Sequence, residues 1–174
     1  MTISAAYRLA CASADPAHAI LDTVEMYHAD WPSIVRLVAD RANLIATLEA
    51  GAPNNPSAAV TFTAFPLSLT VPRTGDGSQD VTLTISNASR MLMTNIAIAE
   101  LNATAPINFI WRPYVTSDLT QPGLALYLAV KGITYGIDAV QLTCGLMEFA
   151  NRKFPRPATG IYKVSEFPAL AERN

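Results

Sequence analysis

Few side chains in this sequence have the types and spacing that chemistry requires. His18 and His28 are its two imidazoles, and either could serve as a general base if a substrate proton came within hydrogen-bond reach. One sits beside a turn and the other at a strand end, and both read as surface or hydrogen-bonded residues. Cys11 and Cys144 do not form a CxxC pair. Even with both histidines they lack the clustered four-ligand spacing of structural zinc, so both thiols read as reduced, buried small hydrophobes. Asp76 and Asp80 flank a glycine-containing turn, but a calcium loop needs more oxygen ligands and a bidentate acid. Trp31 and Trp111 could stack a sugar, and core or interface packing is the plainer reading of both.

Longer motifs do not change this picture. The nucleophile elbow GxSxG and the phosphate loop GxxxxGK are both missing from the sequence. Gly75-Asp76-Gly77 is a fragment of a dinucleotide fingerprint. It lacks the third glycine and precedes a strand pattern, so it reads as a turn. Asn87-Ala-Ser89 and Asn102-Ala-Thr104 match the glycosylation pattern as chance occurrences. No acid pair is placed by local spacing for glycoside cleavage. The expectation is a non-enzymatic protein with no catalytic residues, no metal and no cofactor.

The elements that would position any site are mostly strands. Residues 3 to 13 are Ala-rich without Gly or Pro and predict a short helix, with Tyr7, Leu9, Ala10 and Cys11 on its apolar side. Residues 19 to 28 predict a strand with Ile20, Val24 and Met26 on one face. Residues 34 to 39 predict another, 42 to 50 fit strand or helix, and 51 to 58 are a loop. In VTFTAFPLSLTVP, residues 60 to 72, Val60 and Phe62 alternate with threonines, and Phe65, Leu67, Leu69 and Val71 alternate with Pro66, Ser68 and Thr70. That is period two, with Pro66 marking an edge or a bulge. Val81, Leu83 and Ile85 alternate next, and the two runs predict a hairpin.

Asn87 is a suitable cap for a helix over about 89–101, with Leu92, Ile96 and Ala99 on the stripe that packs on the sheet. Three further strands follow. The first places Ile107, Phe109 and Trp111 on one face and Ile110, Arg112 and Tyr114 on the other. The second aligns Leu124, Leu126, Leu128 and Val130, and the third aligns Val140, Leu142 and Cys144. The predicted class is mainly β, an antiparallel sandwich or barrel with one packed helix and a short N-terminal helix. Its organisation is an N-terminal arm over 1–17, a β domain over 18–151 and a C-terminal arm over 152–174.

Composition narrows the partners. Of 174 residues 51% are apolar and 15% charged, against roughly 25% charged in typical soluble domains. A chain this size cannot hide half its residues in its own core, so apolar surface is expected to be reserved for a partner. The net charge is −2 without a basic stripe, which argues against a nucleic-acid surface. No run reaches the ~20 apolar residues of a membrane span, and residues 1 to 20 lack the pattern of a secretory signal.

Several segments in order resemble a family of phage minor tail proteins long catalogued as a domain of unknown function. These are Trp31-Pro32 through Ile34-Val35-Arg36-Leu37-Val38, then Phe65-Pro66-Leu67-Ser68-Leu69-Thr70-Val71-Pro72, then Leu83-Thr84-Ile85-Ser86-Asn87-Ala88-Ser89-Arg90, and finally Phe154-Pro155-Arg156 and Phe167-Pro168-Ala169. The match runs over about residues 20 to 170. The resemblance implies a structural subunit at the tail tip of a long-tailed phage, similar to distal tail proteins. Such a subunit forms a ring that joins the tail tube to the baseplate hub around the DNA channel, with a core like the tail-tube fold.

The partners so implied are copies of itself (six to match the tube, or three to match the hub), the tail tube protein and hub proteins, with the tape measure protein a further candidate. DNA would pass through without specific binding, and no membrane is involved. The protein would be made in the host cytoplasm and reside in the virion. Tyr7, Leu9, Phe154, Ile161, Tyr162 and Phe167 are the candidate contacts between subunits or rings. One lambda-like relative carries a four-cysteine iron–sulfur site, and this chain lacks that cysteine set. The competing reading is a carbohydrate-binding β-sandwich, a receptor-binding or adhesive module, which requires exposed aromatics beside polar side chains in a concave site.

Overall fold

Alternation of apolar and polar residues puts most of the chain into strands. The computed structural model describes residues 4–13, 15, 18–71, 80–86, 90–101, 105–136 and 139–145, the side chains of 90–92 and 100 excepted. The elements are α1 (Ala5–Ala12), β1 (Ile20–Tyr27), β2 (Val35–Val38), β3 (Leu44–Thr47), β4 (Ala59–Ala64), β5 (Leu67–Thr70), β6 (Val81–Ser86), α2 (Arg90–Leu101), β7 (Asn108–Val115), β8 (Leu126–Tyr135) and β9 (Ala139–Gly145). Among the described residues, nine strands form one sheet in the order β3-β4-β2-β1-β7-β8-β9-β6-β5. The mainly β class is as expected, but the sheet is mixed and not purely antiparallel. β2 and β4 run parallel, through Leu37↔Thr63 and Val38↔Ala64.

The backbone of the sheet is the antiparallel pair β1–β7, in register from Ile20↔Val115 to Tyr27↔Asn108. Pro113 is tolerated within β7 because its missing donor faces a side where pairing with β8 has already ended at Trp111↔Leu126. On that side the Pro113 carbonyl accepts instead from Gly123 N–H at 2.8 Å.

Two apolar clusters lie on opposite faces of the sheet. The larger gathers Val24 and Met26 of β1, Phe109 and Trp111 of β7, Leu128 of β8, Val140, Leu142 and Cys144 of β9, and Val81, Leu83 and Ile85 of β6. Ile96 and Ala99 of α2 join it, which is how the helix docks. The smaller cluster holds Val38, Leu44, Ala46, Leu48, Ala52, Phe62 and Tyr114. Full burial of one such side chain contributes about 1.5–3 kcal/mol, so these alternating positions are what select the strand register.

The segment around Pro66 links the two clusters. Val60, Phe62 and Ala64 belong to the smaller cluster, while Phe65, Leu67 and Leu69 pack against the larger. The apolar residues thus switch from even to odd positions at the break between β4 and β5. Phe65 N–H donates to the Val38 carbonyl of β2, and the Pro66 carbonyl accepts from Ser86 N–H of β6, each at 3.0 Å. Two consecutive residues therefore touch the third and the eighth strand of the sheet order. The sheet must curl on itself there, and Pro66, with no N–H to satisfy, suits the corner.

α1 is capped by Ser4, whose Oγ accepts from Tyr7 N–H at 3.2 Å, and it lies against β7 and the segment before β8. Tyr7 covers Gly123. A Cβ at Gly123 would sit 2.4 Å from Tyr7 Cγ and Cδ2, closer than packed atoms come. Gly123→Val is therefore expected to undock α1 and cost about 1–3 kcal/mol. Limited proteolysis tests this: cleavage in residues 5–12 should speed up while the sheet stays intact, and an unchanged digest would show that Tyr7 does not hold the helix.

Candidate functional site

The most polar buried construction lies on the same face as Tyr114. β1 offers Glu25, β2 offers Arg36 and β7 offers Arg112, each in the phase opposite to its larger-cluster neighbours. Glu25 and Arg36 are register partners. The loop between β3 and β4 crosses this face and adds Glu49, Asn54 and Asn55. Asn55 and Ser57 have φ of 54° and 57°, the left-handed region that asparagine tolerates better than most residues. This lets the loop turn back on the sheet.

The bonding is dense. Arg112 Nε and Nη2 donate to Glu49 Oε2 and Oε1 at 2.7 and 3.0 Å, and Nη1 donates to Glu25 Oε2 at 3.2 Å. Arg36 Nε donates to Glu25 Oε2 at 3.0 Å, and Asn54 Nδ2 to Glu25 Oε1 at 3.1 Å. Arg36 Nη2 donates to Asn55 Oδ1 at 2.9 Å. Tyr127 of β8 donates its hydroxyl proton to Glu49 Oε1 at 2.5 Å, and Tyr114 donates to the Thr47 carbonyl at 2.8 Å.

The Arg112 and Glu25 side chains are fully buried, a placement tolerated because the charges are paired and hydrogen-bonded. Burial alone would lower the Arg112 pKa, but its bonds to Glu49 and the fields of Glu25 and Glu49 raise it. Burial alone would raise Glu49, but its bonds from Arg112 and Tyr127 carry it below the ordinary carboxylate value. Burial, followed by the bond to Glu49, pushes the Tyr127 phenol up to about 12. Two carboxylates face two guanidinium groups, so their formal charges balance. The cluster pins the loop to the sheet.

A concavity of about 410 Å³ opens next to Glu49, lined also by Ser57, Thr120, Gln121, Leu124 and Tyr127. Its rim is ordered by Asp118, whose Oδ1 accepts from Thr120 N–H and Oγ1 at 3.0 and 2.6 Å.

The residues singled out by sequence lie elsewhere. His28 is buried, accepts from Asp30 N–H at Nδ1 and donates from Nε2 to the Ala105 carbonyl at 3.1 Å, so both ring nitrogens are engaged. His18 Nδ1 lies 2.9 Å from Ser117 Oγ at the surface. Trp31 and Trp111 belong to the larger cluster, and Trp111 Nε1 donates to Asp22 Oδ1 at 2.9 Å. Neither indole is laid out for sugar stacking. Cys144 is buried as expected, its thiol pushed up to about 12 by burial and by Asp80. Cys11 is exposed, which corrects the expectation for that thiol: α1 has only Ala10 fully buried.

Ile96 and Ala99 pack on the sheet, whereas the side chain of Leu92 lies outside the described residues. Of the candidate contact residues, Tyr7 covers Gly123 of its own chain and Leu9 is 53% exposed. Phe154, Ile161, Tyr162 and Phe167 lie outside the described residues, as do Asn87 and the Gly75–Gly77 turn. Among the described residues, no three His, Cys, Asp or Glu side chains gather in a metal-binding group. No helix there is long and apolar enough to cross a membrane.

Sequence reasoning passed over Glu25, Glu49 and Tyr127. A signal did exist for part of the cluster, since Glu25 and Arg112 each sit mid-strand among apolar residues, where a charge needs a partner. The model of a family described as a domain of unknown function (DUF1833) matches residues 4–158. No curated protein matches the chain.

Proposed function

The chain belongs to this family of unknown function, and from that premise we propose that it is a structural, non-enzymatic ring subunit of the tail tip of a long-tailed phage. In this reading, copies of the chain, six or three, surround the DNA channel between tail tube and baseplate hub. The tube protein and hub proteins are its neighbours, with the tape measure protein a further candidate, and it resides in the virion after synthesis in the host cytoplasm.

The observation that carries the reading is the open edge at Ile45. Among the described residues, β3 ends the sheet order and pairs with β4 on one side only, through Leu44↔Phe62 to Thr47↔Ala59. Leu48 N–H turns toward the β4 side, reaching the Ala58 carbonyl, while Thr47 N–H turns away to the Leu119 carbonyl. Ile45, two residues before Thr47, therefore also aims its backbone groups away from β4. Its side chain is 64% exposed. An apolar residue on an unpaired edge is a hazard that proteins normally blunt with charge or proline, and a neighbouring strand would remove it. Exposed Leu101 and Met93 on α2 and the low charge of the chain point the same way.

Ile45→Lys tests this. A charge on the edge opposes strand addition and removes nothing from either core, so its effect on stability should stay within about 0.5 kcal/mol. Native mass spectrometry of the unaltered chain, alone and mixed with tail tube protein, should show closed multiples or a mixed complex. Ile45→Lys should leave monomers of unchanged melting temperature. A unaltered chain that stays monomeric under both conditions would defeat the ring reading.

A further inference from the structure

We infer that the groove beside Glu49 and Tyr127 is a binding site for a neutral saccharide. This goes beyond the ring reading and does not depend on it. The groove wall is polar without being charged overall, because Glu25 and Glu49 are balanced by Arg36 and Arg112 within the cluster. An anion would meet the Glu49 carboxylate, and a cation would compete with an arginine already held at 2.7 Å. A neutral ligand rich in hydroxyls meets neither obstacle.

Glu49 is a fixed acceptor. Its carboxylate accepts twice from Arg112, once from Tyr127 and once from its own backbone N–H, so it holds Tyr127 in place and leaves ligand hydroxyls to the groups beside it. Its side chain keeps 20% of its surface exposed while Arg112 behind it has none. Tyr127 is 39% exposed, and its short bond to Glu49 holds the ring in place. A tyrosine ring offers a flat apolar surface for the C–H face of a pyranose, and its oxygen can still accept. Leu124 supplies apolar floor and Thr120 and Gln121 a hydroxyl and an amide at the rim. The volume of about 410 Å³ falls in the range of small-molecule sites, about 300–1,000 Å³. Because the polar groups are already ordered by one another, little ordering is left for a ligand to impose.

Saturation-transfer NMR on the full chain tests the assignment, with glucose, galactose, rhamnose and N-acetylglucosamine as probes at millimolar concentration and N-acetyl-triglycine amide as a neutral peptide probe. Ring protons of at least one sugar should receive transfer. Tyr127→Ala should weaken that binding about tenfold, the effect of losing one aromatic contact. Tyr127→Phe should weaken it less, and Tyr135→Ala, at another exposed tyrosine, should leave it unchanged. Gln121→Ala on the exposed rim gives a second reading with no core residue altered, and should also weaken it. No transfer to any of the four sugars, undiminished binding by both Tyr127→Ala and Gln121→Ala, or transfer to the peptide probe alone would overturn the assignment.

Discussion

Arg112→Met is expected to destabilise the protein by about 3–5 kcal/mol, the range for breaking a buried ion pair by removing one partner. Methionine fills much of the space, so the cost is electrostatic. Glu49 loses both bonds from the guanidinium, and Glu25, with its side chain fully buried, keeps only Arg36 and Asn54. Against a total stability of about 5–15 kcal/mol, that loss moves a urea midpoint far. Combining Arg112→Met with Glu49→Leu should restore a large part of the loss, because the stranded carboxylate is gone and Glu25 retains a cation. If the single substitution cost less than about 1 kcal/mol, water would have to reach the cluster, and the loop would be held by Leu48, Ala52 and the bonds of Asn54 and Asn55.

The second large effect is at α2. Ile96 is 1% exposed within the larger cluster. Ile96→Asp removes a buried aliphatic side chain, about 2–5 kcal/mol for a truncation of this kind, and adds a carboxylate with no cation described nearby, which costs several more. The sum approaches the whole stability of a domain, so the chain should lack a cooperative thermal transition. Leu101→Asp on the same helix, at a position 90% exposed, should change stability by no more than about 0.5 kcal/mol. A cooperative melt retained in Ile96→Asp would mean that the sheet closes its core without the helix.

The face of each long strand is legible from alternation alone. In β7, Phe109 and Trp111 read as one face and Arg112 and Tyr114 as the other, and the two apolar clusters divide them in that way. The same holds for Val81, Leu83 and Ile85 of β6. Pairing between distant strands is not legible, because period two says which side a residue faces and nothing about which strand lies beside it. The parallel contact of β2 with β4 rests on two residue pairs, too short a stretch to leave a pattern. The charge cluster has the same difficulty. Its members come from β2, β1, β7 and β8, which become neighbours only in the sheet order, and from the loop after β3, which folds back across them. Glu49 is the hardest case, since it sits in a stretch that fits helix and strand equally and acts from a loop. Cys11 reads as buried because a free thiol usually packs as a small hydrophobe, yet a helix of eight residues packs one narrow stripe.

The pairing of β1 with β7 has a consequence for synthesis. Ile20 must wait for Val115, and Tyr27 for Asn108, before the central ladder can close. At about 5–20 residues per second on the ribosome, the first strand spends several seconds without its principal partner. Topologies with such separations also pass through their rate-limiting step slowly. The emerging N-terminal third is thus an unshielded apolar chain, and yield in the cell should depend on translation speed and on holdase chaperones more than on the strength of the finished structure.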